Sequence, residues 1–124
     1  MDKFQAMHDF FSSFGLKAYE ENSVPDGKDS PAFPYLTYEA SSSYGDSEIQ
    51  INFSIWYRSD GMKAIDLKVQ EIAESIGQGT VIPFDEGALI IRPGDIFAQS
   101  MSDESDKLVK RKLMTLYIRY VTTH

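Results

Sequence analysis

The sequence predicts an α+β domain of two layers, in which an antiparallel or mixed sheet of about five strands carries two helices packed on one face. Two segments place apolar residues at steps of three and four, and several others alternate apolar with polar residues. Turns that contain proline or glycine separate these segments. The order helix, hairpin, helix, hairpin, strand is most simply satisfied when both helices cover the same face.

The size and composition indicate one globular domain over residues 1–124, with 42% hydrophobic and 25% charged residues. The absence of cysteine excludes disulfides, thiolate metal sites and a cysteine nucleophile, and favours a reducing compartment. No run approaches the roughly 20 apolar residues of a membrane span, so we expect a soluble, cytoplasmic chain. The net charge of −7 disfavours nucleic-acid binding unless a basic patch overrides it.

The first predicted helix carries an aromatic stripe and ends at Gly15. The stripe consists of Phe4, Met7, Phe11 and Phe14, with Phe10 beside it. Core packing is the simpler interpretation of such a stripe, although it could also be a partner face. The following KAYEE predicts a short edge strand, and prolines with the Asp26-Gly27 pair predict a long loop at 23–34.

The clearest local signal is a hairpin made by YLTYEA and the alternating run from Ile49 to Arg58. Strict alternation places Trp56, the only tryptophan, on the polar face with Asn52 and Arg58. An outward tryptophan can cover a neighbouring side chain or contact another subunit, because tryptophan is enriched at interface hot spots. Both interpretations stay open at this stage.

The second helix is amphipathic, with Ser59 or Asp60 as its expected cap and Gly77 as its end. Its apolar stripe consists of Met62, Ile65, Val69, Ile72 and Ile76. Leu67 lies about 200° round the helix from Ile65, so it is either a lone surface leucine or part of an interface.

A second hairpin is predicted from TVIPF and ALIIRPG, joined by Asp85-Glu86-Gly87. Pro83 and Pro93 place these strands at an edge or at strand ends, because proline has no N–H to donate. The run LMTLYIRYV predicts a long final strand, with Met114, Leu116, Ile118 and Tyr120 on one face. Residues 94–111 are then a charged connection between the two strands.

The stretch from Ser100 to Lys112, which contains most of that connection's charges, has three acids followed by a group of bases. The residues are Asp103, Glu104, Asp106, Lys107, Lys110, Arg111 and Lys112. The acids lack the full pattern of a calcium loop, and the charges nearly cancel, which disfavours metal or phosphate binding. A solvated loop, with a short helical turn that Ser102 could cap, explains the charge order, although a seam between copies remains open.

No catalytic or cofactor motif is recognisable in the sequence. It contains no glycine-rich phosphate loop, nucleophile elbow or HExxH pattern, and neither His8 nor the terminal His124 is well placed for catalysis. We therefore expect no enzyme activity, no cofactor and no metal site.

The succession of motifs resembles the tail-terminator (tail-completion) proteins of phages with long non-contractile tails. The resemblance runs from FFSSFGLKAYEENSVPDG through FPYLTYEA, INFSIWYRS, AIDLKVQEIAESIGQG and VIPFDEGALIIRPG to FAQSMSDESDKLVKRKLMTLYIRY. It implies a structural protein that forms a ring, commonly a hexamer, on the head-proximal end of the tail tube. There it ends tube polymerisation and meets the head-completion proteins, with DNA only as passing cargo. The implied location is the virion, with assembly in the host cytoplasm.

A ring requires two unlike patches on each copy, because its contacts are head-to-tail. The candidate interface residues are Trp56, Arg58, Leu67, Asp103, Glu104, Asp106, Lys107, Lys110 and Arg111. Three alternatives remain: another head–tail joining or minor tail adaptor protein, a small host binding domain that uses the 23–34 loop, and an enzyme that uses the acidic clusters with a divalent cation.

Overall fold

The computed structural model of the chain describes residues 2–25, 30–39, 48–102 and 107–122. It confirms the α+β class, with two α-helices and a six-stranded sheet. The elements in chain order are α1 (Lys3–Ser12), β1 (Lys17–Glu20), a 3-10 turn (Glu21–Ser23), β2 (Tyr35–Tyr38), β3 (Ile49–Arg58), α2 (Lys63–Ile76), β4 (Thr80–Phe84), β5 (Gly87–Ser102) and β6 (Val109–Thr122).

The strand order across the sheet is β1-β2-β3-β6-β5-β4, so β1 and β4 are the edges. The short edge strand predicted from KAYEE is confirmed as β1, which pairs along its whole length with β2, although the sheet has six strands where about five were predicted. That pairing is parallel, whereas all the other pairings are antiparallel, which makes the sheet mixed. Both predicted hairpins are confirmed.

One hydrophobic core joins both helices to the inward-facing strand residues. Phe11 of α1 stacks on Tyr38 at 4.7 Å between ring centroids and lies 5.0 Å from the ring of Phe53. Ile65 and Ile72 of α2 are fully buried in the same core. Because α1 contacts both edge strands, β1 and β4, the sheet must curl around this helix.

The helix ends differ in part from the prediction. Asp2 caps α1 by accepting a hydrogen bond from the Gln5 backbone N–H at 2.8 Å, while Phe4 on the first turn is 49% exposed and lies outside the core. Neither Ser59 nor Asp60 caps α2, whose N-cap residue is Met62 without a side-chain hydrogen bond; the Ser59 hydroxyl donates to the Gly61 carbonyl, 2.8 Å away. Gly77 ends α2 with φ of 59°, as predicted.

The predicted end of the fifth strand at Pro93-Gly94 was wrong, and so was most of the 94–111 connection. The pairing of β5 with β6 shifts register between Pro93 and Ala98 and then resumes to Ser102. Such a bulge allows a strand to continue past a proline. Gly94 suits this site, since a Cβ there would lie 3.0 Å from the Thr115 carbonyl oxygen. The expected helical turn falls on residues 103–106, outside the described residues.

The predicted loop at 23–34 is largely retained. Its described residues, 24–25 and 30–34, contain no helix or strand, although Ser23 belongs to the 3-10 turn. The peptide bond between Phe33 and Pro34 is cis. Phe33 lies two residues before β2 begins at Tyr35.

Candidate interaction face of the sheet

The sheet face opposite the helices, here called the outer face, holds a ladder of aromatic and arginine side chains. Cross-strand register places Tyr35 of β2 opposite Trp56 of β3, and Trp56 opposite Arg111 of β6. Residues directly opposite one another on one face of a sheet are close enough for their side chains to interact. The register therefore assembles three residues that are far apart in the sequence.

The contacts within this ladder are specific. The rings of Tyr35 and Trp56 stack with centroids 5.9 Å apart and planes at 9°, and the Arg111 guanidinium carbon lies 4.6 Å from the Trp56 ring centroid. The Trp56 indole Nε1–H donates to the Thr37 hydroxyl at 3.0 Å. Trp56 thus covers its own neighbours, which is the intrachain alternative considered for it.

Arg111 is fixed by a hydrogen bond as well as by stacking. Its Nε–H donates at 3.0 Å to the hydroxyl of Ser54, which is 2% exposed. Burial raises the pKa of Tyr35, and the nearby positive charge of Arg111 offsets part of that rise. The guanidinium therefore satisfies a buried hydroxyl and also sets the local electrostatics of the ladder.

A second stacked pair lies further along β6. The guanidinium carbon of Arg92 lies 4.5 Å from the ring centroid of Tyr117, and Arg92 donates to both carboxylate oxygens of Glu48 at 2.7 and 2.6 Å. This bidentate hydrogen bonding lowers the pKa of Glu48. The outer face thus repeats one chemical unit, an arginine lying over an aromatic ring.

All four arginines of the chain occupy outward-facing positions of the strands: Arg58, Arg92, Arg111 and Arg119. The two helices and the residue before α1 carry five acids and three lysines: Asp2, Asp9, Asp66, Glu71 and Glu74, with Lys3, Lys63 and Lys68. The protein has a formal net charge of −7, yet it gathers its arginines on one face. Arginine and aromatic residues together are typical of interface hot spots.

The structure brings together only some of the predicted interface residues. Trp56, Arg58 and Arg111 share the outer face. Leu67 is 56% exposed on α2, where it lines a shallow pocket with Ser59, Gly61, Lys63 and Ala64. It therefore belongs to the helix layer and does not join Trp56.

The charged connection contributes little to this face in the described part of the chain. The Lys110 ammonium donates to the Lys107 carbonyl, which closes a local turn. Lys112 pairs with Asp66 of α2 at 3.2 Å and so points toward the helix layer. Asp103, Glu104 and Asp106 lie outside the described residues.

Several residues of the outer face were not singled out from the sequence. They are Tyr19, Tyr35, Arg92, Tyr117 and Arg119. The period-two alternation that marks β2 and β6 as strands could have placed Tyr35, Tyr117 and Arg119 on an outward face. The stacking of Arg92 on Tyr117 depends on the pairing of β5 with β6, which no local pattern specifies.

The described residues contain neither a cluster of metal-ligating side chains nor a helix that could span a membrane. Within them, no three His, Asp or Glu side chains lie close enough together to hold a metal ion. The helices in the same part of the chain are too short or too polar to cross a membrane. The His8 Nδ1 lies 3.0 Å from the Tyr38 hydroxyl, which gives this side chain a local structural partner.

Comparison with known proteins adds no assignment, since no protein-family model and no curated protein matches the chain significantly.

Proposed function

We propose that this chain is a structural protein of a phage or prophage tail, of the tail-terminator type, and that its copies assemble head-to-tail into a ring. The proposal joins the order of motifs in the sequence to the composition of the outer face. The observation that carries it is the concentration of arginine and aromatic residues, in an acidic protein, on a sheet face that the described residues leave uncovered. Surfaces of this composition are suited to protein contacts.

Head-to-tail assembly requires two different surfaces on each copy that fit one another. The arginine-bearing sheet face and the acid-bearing helix layer differ in charge, and the two sheet edges differ in sequence. Contacts between exposed edge strands, or between unlike surfaces of neighbouring copies, can close a ring. In this proposal the ring, with six copies as the family expectation, lies on the end of a tail tube.

The ring would end polymerisation of the major tail-tube protein and offer its opposite side to a head-completion protein. DNA would pass through the centre as cargo, and an excess of acidic residues around the lumen would keep the duplex from adhering. No catalytic step is part of this function. The protein would act in the host cytoplasm during assembly and remain in the virion.

The direct test combines this chain with the major tail-tube protein of the same phage or prophage. In negative-stain electron microscopy we expect tubes of limited length with a ring at one end, and longer uncapped tubes when the chain is omitted. Tubes of unchanged length without end rings would refute a terminator function. A ring that binds the head-completion protein but leaves tube length unchanged would instead favour the alternative of a head–tail joining adaptor.

A further inference from the structure

Two unlike apolar patches lie at opposite edges of the outer face. The aliphatic patch is Val81 of β4 with Ile90 of β5, which are opposite each other in register and are 60% and 38% exposed. A β-branched pair so accessible at the edge of a sheet is a site where another chain can pack.

The aromatic patch lies at the other edge and consists of Tyr19, Phe33 and Tyr35. Phe33 is 38% exposed, and its ring centroid is 5.3 Å from that of Tyr35, which in turn meets Tyr19 edge-on at 6.1 Å. The Lys17 ammonium lies 5.6 Å from the Tyr19 ring centroid, so the patch carries a positive charge. Rigid aromatic surface of this kind provides contact area at low entropic cost.

The curl of the sheet directs the two patches away from each other. The aliphatic patch is on the β4 edge and the aromatic patch on the β1–β2 edge, while α1 contacts both β1 and β4 from inside the curl. When a sheet curls around a helix, side chains on its outer surface diverge from one edge to the other. Patches that point apart are what a head-to-tail ring requires, because each copy touches one neighbour on each side.

We infer that the aliphatic patch of one copy packs on the aromatic patch of the next copy, so that these two sheet edges form the repeating contact of the ring. The inference rests on the proposed ring-forming function and names the surfaces by which it is achieved. Arg119, opposite Ile90 in register, adds a guanidinium that can stack on the partner's aromatic rings.

Charge also favours the unlike pairing. The exposed turn that joins β4 to β5 carries Asp85 and Glu86, which outnumber Arg119 at this edge, whereas the aromatic patch carries Lys17. Contact between unlike patches brings the acids of one copy toward the lysine of the next. Contact between two aromatic patches would bring like charges together, which opposes a closed symmetric dimer through that surface.

The test uses one substitution in each patch, Val81→Asp and Phe33→Asp, measured by size-exclusion chromatography with light scattering. Each variant keeps one patch intact, but all its copies lack the other patch, so no two copies of the same variant can form the contact. We therefore expect both variants to be monomers under conditions in which the wild type is assembled. In an equimolar mixture, the intact aliphatic patch of one variant meets the intact aromatic patch of the other. The mixture should therefore give a dimer of about 28 kDa, twice the 14.0 kDa chain, and nothing larger.

The control is Phe4→Asp, which places the same apolar-to-acid change at a side chain that is 49% exposed on α1. We expect it to assemble like the wild type, and circular dichroism checks that all three variants are folded. Should either aspartate variant fail to fold, Val81→Lys and Phe33→Ser are assessed by the same criteria.

The outcomes separate this inference from the function on which it rests. A wild-type ring that persists in either patch variant, or variants that remain monomeric when mixed, would overturn the pairing of these patches but leave ring formation standing. A monomeric Phe4→Asp control would also contradict the inferred contact, since the surface that joins the copies would then extend beyond the two patches. A wild-type protein that never assembles would refute the proposed function itself.

Discussion

The Arg111 side chain offers the sharpest test of the outer face as an organised structure. Replacement by alanine removes a guanidinium that lies 4.6 Å from the Trp56 ring centroid and that donates to Ser54 at 3.0 Å. Ser54 is 2% exposed with this side chain in place, so truncation leaves its hydroxyl without a partner that water only partly replaces. The substitution should therefore destabilise the fold even though position 111 is on the side of the sheet away from the core.

The magnitude follows from the two lost interactions. Cation–π stacking contributes about 0.5–2 kcal/mol depending on exposure, and a buried polar group left without a partner costs about 1–3 kcal/mol. The two effects involve one side chain, and water can partly replace the lost partner of the Ser54 hydroxyl. We therefore expect the free energy of unfolding to fall by about 2–3 kcal/mol in total. For a chain of 124 residues, each kcal/mol lowers Tm by about 4 °C, so the expected decrease is about 8–12 °C.

The assay is urea denaturation followed by tryptophan fluorescence, since Trp56 is the only tryptophan and reports on the contact itself. Arg111→Lys keeps the charge but loses the planar stacking fork, so it should fall between the wild type and Arg111→Ala. Lys63→Ala, which removes an exposed cation from the first residue of α2, is the control and should change stability by less than about 0.5 kcal/mol. A loss below about 0.5 kcal/mol for Arg111→Ala, equal to the control, would refute the reasoning.

Three further predictions concern the fold. Gly94→Ala should cost about 1–3 kcal/mol in a denaturant titration, because the new Cβ would lie 3.0 Å from the Thr115 carbonyl oxygen, and an unchanged midpoint would contradict the tight bulge. Phe53→Ala should cost about 3–5 kcal/mol in the same titration, since its 1%-exposed ring packs against Phe11. Burial raises the pKa of Tyr120 to about 12 from 10.0, so the folded state holds this proton more tightly than the unfolded state does. That contribution to stability is complete below pH 10 and is lost as the pH rises toward 12. Between pH 9 and pH 12, the free energy of unfolding of Tyr120→Phe should therefore fall by about 1–2 kcal/mol less than that of the wild type. Equal decreases in the two proteins would contradict the raised pKa of Tyr120.

Local periodicity in the sequence was sufficient to predict the elements that bury a continuous stripe of apolar side chains. The stripe through Ile65 and Ile72 places α2 on the core, and the alternation of Ile51, Phe53 and Ile55 gives the inward face of β3. Each pattern repeats over many residues, and burial of its apolar residues in a single core accounts for it. The sequence alone therefore identifies these elements. The same logic overextended the α1 stripe to Phe4, which lies on the first turn beyond the core.

Elements that depend on pairing with distant strands could not be predicted in the same way. The proline at position 93 indicates a strand end, but the bulge between Pro93 and Ala98 allows β5 to continue along β6. Likewise the sequence indicated β1 as a short edge strand but not its parallel pairing with β2, which comes after a long loop. In both cases the decisive contacts are non-local.

The candidate site likewise combines residues that local sequence patterns reveal with residues that only strand pairing brings together. Trp56 was identified because it breaks the apolar alternation of β3, whereas its partners Tyr35 and Arg111 become visible only through cross-strand register. Arg111 was selected for its charge within a basic run, yet its contacts are with an aromatic ring and a buried hydroxyl. Charge reversal at this position would therefore perturb the fold as well as any assembly, which makes Val81 and Phe33 better probes of contact between copies.

The mass of the purified wild-type protein in solution tests the central claim most directly. Light scattering after size exclusion, over a range of concentrations and in the presence of tail tubes, should reveal a discrete oligomer several times the 14.0 kDa chain mass. Negative-stain images of the same fraction should show closed rings. A strict monomer at every concentration, with tubes present as well as without them, would contradict the account of this chain as a ring-forming tail protein.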